Sequence, residues 1–268
     1  MQVDQPIENE FIENGFVHLR EVVAPDVVAA GQTIIWSDLA QSADDPSSWT
    51  GPVARIIPSD ARPFKVAFDS PLLFDAFDRL VGRGRWMARP HLGYFVVRFP
   101  HPADPGDTGW HIDSSFPPDA DAVADGDAGD FSQWRVNVSS RGRALLMLFL
   151  FSDVGPDDAP TRIKVGSHLD VPSLLRAAGA DGMTGTEASA LAARASGSRT
   201  TAFATGAAGD VYLCHPFLVH AAQPVRGGAP RLLAQPPLTT REALVLDRSD
   251  GAYSPVEQAI SRALDKGA

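Results

Sequence analysis

The stretch GWHIDSSF, residues 109–116, sets a histidine and an aspartate two positions apart, His111 and Asp113. On an extended chain, residues i and i+2 point to the same face. These two side chains can therefore reach one metal ion. Composition alone produces such triplets: with seven His in the chain, about 0.7 His-x-Asp triplets are expected by chance. A second one is present, His168 and Asp170 in GSHLD. Their surroundings separate the two. GSHLD runs into VPSLLRAA, a helical pattern with Ser167 placed as an N-cap. On a helix, i and i+2 diverge by about 200°, so His168 and Asp170 read as structural. His111 and Asp113 follow Trp110 in an extended run, where they converge.

A metal site needs a third ligand from elsewhere. The segment GDVYLCHPFLVHAAQPVRGGAPRLLAQ offers His215 and His220, each with an arginine eleven residues later, Arg226 and Arg231. Arg226 precedes Gly227 and Gly228 and reads as the water-facing tip of a hairpin. Arg231 opens RLLAQ, which reads as a strand. His220 with Arg231 is therefore the favoured pair. His215, directly before Pro216, reads as a supporting or buried histidine beside the same cavity. Two His and one carboxylate on one face leave open metal positions, the arrangement of non-haem Fe(II) oxygenases. Those positions suit a 2-oxo acid and then O2. An arginine fork suits the far carboxylate of the acid, because it pairs two oxygens at once.

These residues must be held by a scaffold. Helical signals come first: residues 5–14, then Pro25 with DVVAAGQTIIWSDLA, then SPLLFDAFDRLVG at 70–82, with QSADDPSSWTGP between them as a loop. From residue 85 the pattern becomes strand-like. Short runs bounded by Gly and Pro follow: RWMAR, LGYFVVRFP, the GWHID region, WRVNVS, RALLMLFLFSDV and TRIKV. Helical signals return at 171–178 and 185–195. TTAFA, DVYLCHPFLV and RLLAQ then read as strands, and 254–266 as a last helix. Strands at this density suggest a sandwich or jelly roll, not a parallel βαβ sheet. The expected organisation is one domain over 1–268. Residues 1–84 are mostly helical support. The core covers 85–240, with a lid loop at 114–133 and a helical insertion at 168–197, and 241–268 form a C-terminal helical segment.

Composition narrows the partners. A net charge of −10 with only 23 Lys+Arg argues against nucleic-acid backbone and anionic membrane surfaces. A small-molecule substrate is expected, on a monomer or homodimer. No apolar run reaches the roughly 18 residues of a membrane span. The acidic opening MQVDQPIENE does not read as a secretory signal. The single cysteine, Cys214, precludes an internal disulfide and fits a reducing, cytoplasmic setting.

The sequence resembles the phytanoyl-CoA dioxygenase-like Fe(II)/2-oxoglutarate oxygenases over most of its length. FIENGFVHL is similar to the family's opening segment and GWHIDSSF to its first metal motif. PTRIKVGSHLD resembles its Pro-Gly-Ser-His segment, with Val165 in place of Pro. GD at 209–210 with His220 and Arg231 resembles its C-terminal motif. The resemblance implies a double-stranded β-helix (jelly roll, cupin-like), mainly β with flanking helices. It implies His111, Asp113 and His220 as Fe(II) ligands, Arg231 on the C5 carboxylate of 2-oxoglutarate, and O2 as cosubstrate. It also makes His168 structural. Where family members often carry Ser or Thr two residues after the second His, this chain has Ala222. Tyr94 and Arg98, in step on the strand before the metal motif, are candidates to replace that contact. Related halogenases lack the carboxylate ligand. Asp113 therefore implies hydroxylation or desaturation, as in secondary metabolism.

On the substrate side, PDADAVADGDAGD lacks the spacing of a calcium-binding EF-hand and reads as a solvated lid. Phe116 is a candidate for the pocket wall. Trp134, Arg135, Arg141 and Arg143 can face the substrate, and Arg162 on TRIKV can point inward toward an anion. Two other classes compete: a Zn-dependent hydrolase using the same His/Asp/His triad, and a non-catalytic jelly-roll binding protein.

Overall fold

Leu145–Leu150 is buried at all six positions, as a strand covered on both faces requires. In the computed structural model, which describes residues 6–57, 61–89, 92–117 and 133–265, this strand lies at the centre of the main sheet.

The helices are α1 (Ile7–Asn14), α2 (Pro25–Asp38), α3 (Arg62–Phe68), α4 (Pro71–Leu80), α5 (Pro172–Arg176), α6 (Gly185–Ala195) and α7 (Pro255–Asp265). Five of them carry Pro at their first turn, where its missing N–H costs nothing. The strands begin with β1 (Phe16–Leu19), β2 (Val53–Ile56), β3 (Trp86–Met87), β4 (Phe95–Arg98) and β5 (Arg135–Val136). They continue with β6 (Leu145–Leu150), β7 (Thr161–Lys164), β8 (Met183–Thr184) and β9 (Thr201–Ala204). The last are β10 (Val211–Cys214), β11 (His220–Ala221), β12 (Arg231–Ala234) and β13 (Pro237–Thr240).

Every strand pairing is antiparallel. The main sheet runs β1-β10-β6-β12-β4-β2, with β13 joining β6 to β3. A smaller sheet runs β11-β7-β9, and β5 pairs β8. This is the expected mainly-β, jelly-roll class with helices outside. Among the described residues the strands do not close into a barrel. The larger core cluster gathers phenylalanines and aliphatic residues from α1–α4, the main sheet and α7, and a smaller one, with Leu148, Ile163 and Leu233, joins the main sheet to the small one. No helix of the described residues is long and apolar enough to cross a membrane.

Three local expectations are corrected. Residues 220–231 do not form a hairpin. β11 belongs to the small sheet and β12 to the main one, so the Gly-rich turn carries the chain from one sheet to the other. WRVNVS, expected as a strand, is strand only at Arg135–Val136, and its partner is β8. The GWHID segment is not a strand but a single bridge, His111 to His220. The expected lid and its acidic run fall, for residues 118–132, outside the described residues.

Candidate metal and cosubstrate site

The bridge between His111 and His220 is made by two backbone hydrogen bonds of 2.9 Å. It pins an otherwise irregular segment against β11 and sets two imidazoles side by side, ring centroids 4.3 Å apart. Each ring is fixed by its other nitrogen. His111 Nδ1 lies 2.9 Å from the Gly109 carbonyl, and His220 Nδ1 3.0 Å from that of Leu218. A carbonyl can only accept, so both Nδ1 atoms carry the proton and both Nε2 lone pairs are free. Those Nε2 atoms lie 3.9 and 3.8 Å from Asp113 Oδ1. One ligating atom from each of the three residues falls within a 4.8 Å set, so a single ion can be held by all three.

Charge favours the same use. Burial, then the neighbouring His111, pulls His220 down to about 4, so it is neutral at physiological pH. Burial pushes the Asp113 carboxyl up. The Arg143 guanidinium leads the neighbouring groups that outweigh that push and hold it below its ordinary value.

Arg143 was grouped with the residues facing the substrate. It donates from Nη1 to Asp113 Oδ2 at 2.7 Å and from Nη2 to the Ser114 carbonyl at 3.0 Å. One carboxylate oxygen is thereby occupied and the other left toward the histidines. The turn before β6 makes this reach possible. Gly142 has φ +82°, and a Cβ there would lie 2.9 Å from the Ser115 carbonyl. Only glycine allows so close an approach.

Across the interior, β12 pairs β4 with Arg231 opposite Arg98. Opposed residues on an antiparallel ladder share a face, so two guanidiniums stand side by side, 2 % and 3 % exposed. Arg98 Nη2 donates to Asp107 at 2.7 Å, a carboxylate it shares with Arg55. Arg231 Nη1 donates to the carbonyl of Ala159. Ala159 is a non-glycine residue at φ +54°, a conformation that costs on the order of 1 kcal/mol. Arg231 Nε and Arg98 Nε and Nη1 are buried without partners. Burial, then the charge of Arg98, pulls Arg231 down to about 9. Two buried cations with one carboxylate between them call for another anion.

The two halves open into one cavity of about 540 Å³, lined by His111, Asp113, His220, Arg98, Arg231 and Tyr94 among others. Thr161 lines it too, beside Ala222. The β7–β11 register, Ala221 opposite Arg162, brings these two level. Thr161 is buried, and its hydroxyl has no hydrogen bond among the described residues. Spacing along the chain did not reveal Thr161, because the relation is across a ladder.

Two further spaces adjoin the metal residues. One of about 600 Å³ lies between His111, Asp113, Trp134 and the start of α6. Another of about 720 Å³ shares Tyr94, Gln235 and Arg143 with the first cavity and is walled by Phe116 and Trp134.

Three residues are not brought to any of these spaces. His215 is buried against Phe11, His168 and Phe217, with Nδ1 accepting from the Phe217 N–H and Nε2 3.3 Å from the Val256 carbonyl. It serves the core. Arg162 donates to the carbonyls of Ala222 and Thr108 and lies 4.7 Å over the Trp110 ring. Carbonyl oxygens and an aromatic face replace the expected anion. Arg135 likewise donates to the carbonyls of Asp181 and Gly182.

Known proteins match this architecture. The fold resembles the non-haem alpha-ketoglutarate-dependent epimerase SnoN from nogalamycin biosynthesis, at 17 % identity and TM-score 0.56, over 91 % of this chain and 82 % of that one. It resembles the carbocyclase SnoK from the same biosynthesis at 16 % identity and TM-score 0.51, over 93 % and 89 %. HygX from Streptomyces hygroscopicus, solved with nickel and 2-oxoglutarate, aligns at 18 % identity and TM-score 0.52, over 84 % and 82 %. Among curated proteins, none matches the sequence. The sequence does match the family described as phytanoyl-CoA dioxygenase over residues 11–233. That span covers the metal residues and both buried arginines, and the chain belongs to the phytanoyl-CoA dioxygenase family of Fe(II)- and 2-oxoglutarate-dependent oxygenases.

Proposed function

We propose that this oxygenase hydroxylates an unactivated C–H bond of a small-molecule, natural-product intermediate, converting 2-oxoglutarate and O2 to succinate and CO2 as one oxygen atom enters the product. The observation that carries the reading is the shared cavity. Three metal-ligating atoms converge at one side of it, and partnerless guanidinium nitrogens lie at the other.

The residues fit the absent groups. His111, Asp113 and His220 hold Fe(II), a two-His, one-carboxylate set that leaves positions for a 2-oxo acid and O2. Bound iron supplies the activation of O2. The remaining work belongs to the chain. Arg231 and Arg98 receive the far carboxylate of 2-oxoglutarate, with the Thr161 hydroxyl serving where Ala222 cannot. Tyr94, 46 % exposed at the mouth, covers the cosubstrate. Arg143 keeps Asp113 to one free oxygen. Phe116 and Trp134 wall the adjoining substrate space.

Two observations support hydroxylation of a natural product. Asp113 keeps the metal position that halide would need. SnoN has been solved with iron, alpha-ketoglutarate and nogalamycin RO, a small-molecule precedent on this fold. Adding Fe(II) and 2-oxoglutarate anaerobically is expected to give a weak visible charge-transfer band. Aerobic substrate screening is expected to give succinate above the uncoupled background, with a product 16 Da heavier than its substrate. A folded, iron-loaded protein without the band would refute the assignment. Product at the substrate's mass or lighter by two hydrogens would overturn hydroxylation alone.

A further inference from the structure

The chamber of about 720 Å³ beside the metal residues has a composition unlike the rest of the chain. In a protein of net charge −10, its wall carries Arg89, Arg141 and Arg143 and no Asp or Glu among the described lining residues. The body of the chamber is apolar and flat-sided, with Phe116, Trp134, Tyr94 and the Pro236–Pro237 pair. Arg141 lies 5.4 Å over the Phe116 ring, which holds its charge at the rim. Arg143 is engaged by Asp113, yet its Nε is buried without a partner. Ser115, 7 % exposed, has a buried hydroxyl with no partner either, on the same wall. A buried donor without an acceptor is costly. These two, beside the Arg141 guanidinium, mark a place that an anionic acceptor fills.

Resting on the oxygenase reading for the word substrate, we propose that this chamber selects a flat, largely apolar molecule bearing a carboxylate. The ring system packs on Trp134 and Phe116. The carboxylate is received by Arg141, with the Ser115 hydroxyl donating to it. Overall negative charge then keeps indiscriminate anions at a distance while the chamber takes the one that also fits its apolar body. Volume agrees with a drug-sized ligand, for which pockets run about 300–1,000 Å³.

The test uses a matched pair of probes, anthracene-2-carboxylate and anthracene-2-carboxamide, on full-length protein saturated with Fe(II) and 2-oxoglutarate under anaerobic conditions. Saturation keeps the probes out of the cosubstrate cavity. Binding is read by tryptophan fluorescence, with Trp134→Phe assigning the signal among the five tryptophans of the chain. The acid is expected to bind at least about tenfold more tightly than the amide. Arg141→Gln should shrink that preference. Ser115→Ala should weaken the acid several-fold without lowering the melting temperature, since it removes a hydroxyl that the folded protein leaves unpaired. Equal or tighter binding of the amide would overturn the proposal. So would a preference untouched by both substitutions, or no binding of either probe at millimolar concentration. The charge-transfer band reports on the oxygenase reading separately. Its loss with the acid preference intact would sink that reading and spare this one, and the reverse result would do the opposite.

Discussion

His111 with Asp113 and His168 with Asp170 are the same pattern of letters put to opposite uses. In the second triplet the groups are consumed by the fold. His168 Nε2 lies 3.0 Å from the Ile12 carbonyl. Asp170 takes Arg199 at 2.6 and 3.0 Å and the Ser196 hydroxyl at 2.9 Å. A short 3-10 helix, Ser167–Leu169, turns the two side chains apart. His168 does keep one buried nitrogen without a partner, Nδ1. That atom faces Gly15, where a Cβ would lie 2.4 Å away, and among the described residues no metal-ligating cluster includes it. In the first triplet one atom of each side chain is fixed and the other left free. His111 is held through Nδ1 and Asp113 through Oδ2, and the free Nε2 and Oδ1 point at the same place as His220 Nε2. An uncommitted atom is common enough. Three that converge, each anchored from behind, distinguish a site from a structural network.

The comparison breaks first at the carboxylates. Asp113→Ala should abolish coupled succinate formation by at least about 10³-fold, since metal-based stabilisation of several kcal/mol goes with it. Bound iron, measured by metal analysis after gel filtration, should fall with activity. Asp170→Ala should leave both within about twofold per folded molecule, its loss appearing as stability of about 1 kcal/mol, because Arg199 and Asp170 are partly exposed. Equal loss of iron in the two variants would erase the distinction drawn between the triplets.

A second pair of regions sharpens it. Arg85 and Glu257 form a closed ion pair: the carboxylate also accepts from the backbone of Val245 and Ser254. Arg98 and Arg231 face each other with nitrogens unpaired. Arg231→Ala should therefore raise the KM for 2-oxoglutarate by about 10²-fold, in line with about 2–5 kcal/mol for a buried charged contact. It should do so at little cost in stability, because like charges are being separated. Arg231→Lys should recover only part, as an ammonium cannot present a fork. Glu257→Gln should do the reverse, lowering the melting temperature and leaving the KM alone. An unchanged KM in Arg231→Ala would remove the arginine pair from the cosubstrate site.

Arg143 tests the anchoring from behind. Arg143→Ala frees the second oxygen of Asp113, and iron affinity is expected to fall about 10–100-fold, the usual cost of losing a partner of a metal ligand. Uncoupled 2-oxoglutarate turnover should rise relative to product formed. Arg199→Ala, the same change behind Asp170, should leave iron affinity untouched. Competition with a fluorescent chelator measures both, and equal affinities in the two variants would make Arg143 merely structural.

The legibility of these features follows from how far each relation runs along the chain. His111 and Asp113 could be read from spacing because two residues on an extended segment share a face whatever the register. His220 and Arg231, eleven apart, line one cavity, though not through the hairpin that the spacing suggests. The two residues meet across the gap between two sheets. Arg143, thirty residues from Asp113, and Thr161, level with Ala222 across a ladder, depend on tertiary register, which no local pattern carries. Arg162 shows the same limit from the other side. On β7 the burial alternates, with Thr161 and Ile163 in and Arg162 and Lys164 toward the edge, and a one-residue difference in parity decides which side chain meets the cavity. The strand β2 and helix α3 escaped notice because each is short. β2 is an edge strand whose place is set by pairing with β4.

The smallest expected effect concerns His168, and it separates a histidine buried for packing from one buried for a metal. Burial lowers His168 from its ordinary 6.5 to about 4, against a weaker opposing hydrogen bond to Ile12. The folded protein therefore keeps this ring neutral where the unfolded chain protonates it. Between pH 6.5 and 4 the unfolded state binds more protons, so stability is fully present above 6.5 and drains away as pH falls through the window to about 4. One such group contributes about 1 kcal/mol per pH unit there. His168→Gln keeps a side chain able to donate to the Ile12 carbonyl and carries no titrating ring. Urea unfolding at pH 6.5, 5.5 and 4.5 should show a shallower loss of stability in this variant by about that amount, with iron content at pH 7 unchanged. His220 is also held down to about 4, but a bound metal would occupy its free nitrogen. Its contribution to the slope should consequently depend on whether iron is present, whereas that of His168 should be the same in the apo and iron-loaded protein. A His168 effect that disappears on adding iron would tie this histidine to the metal after all.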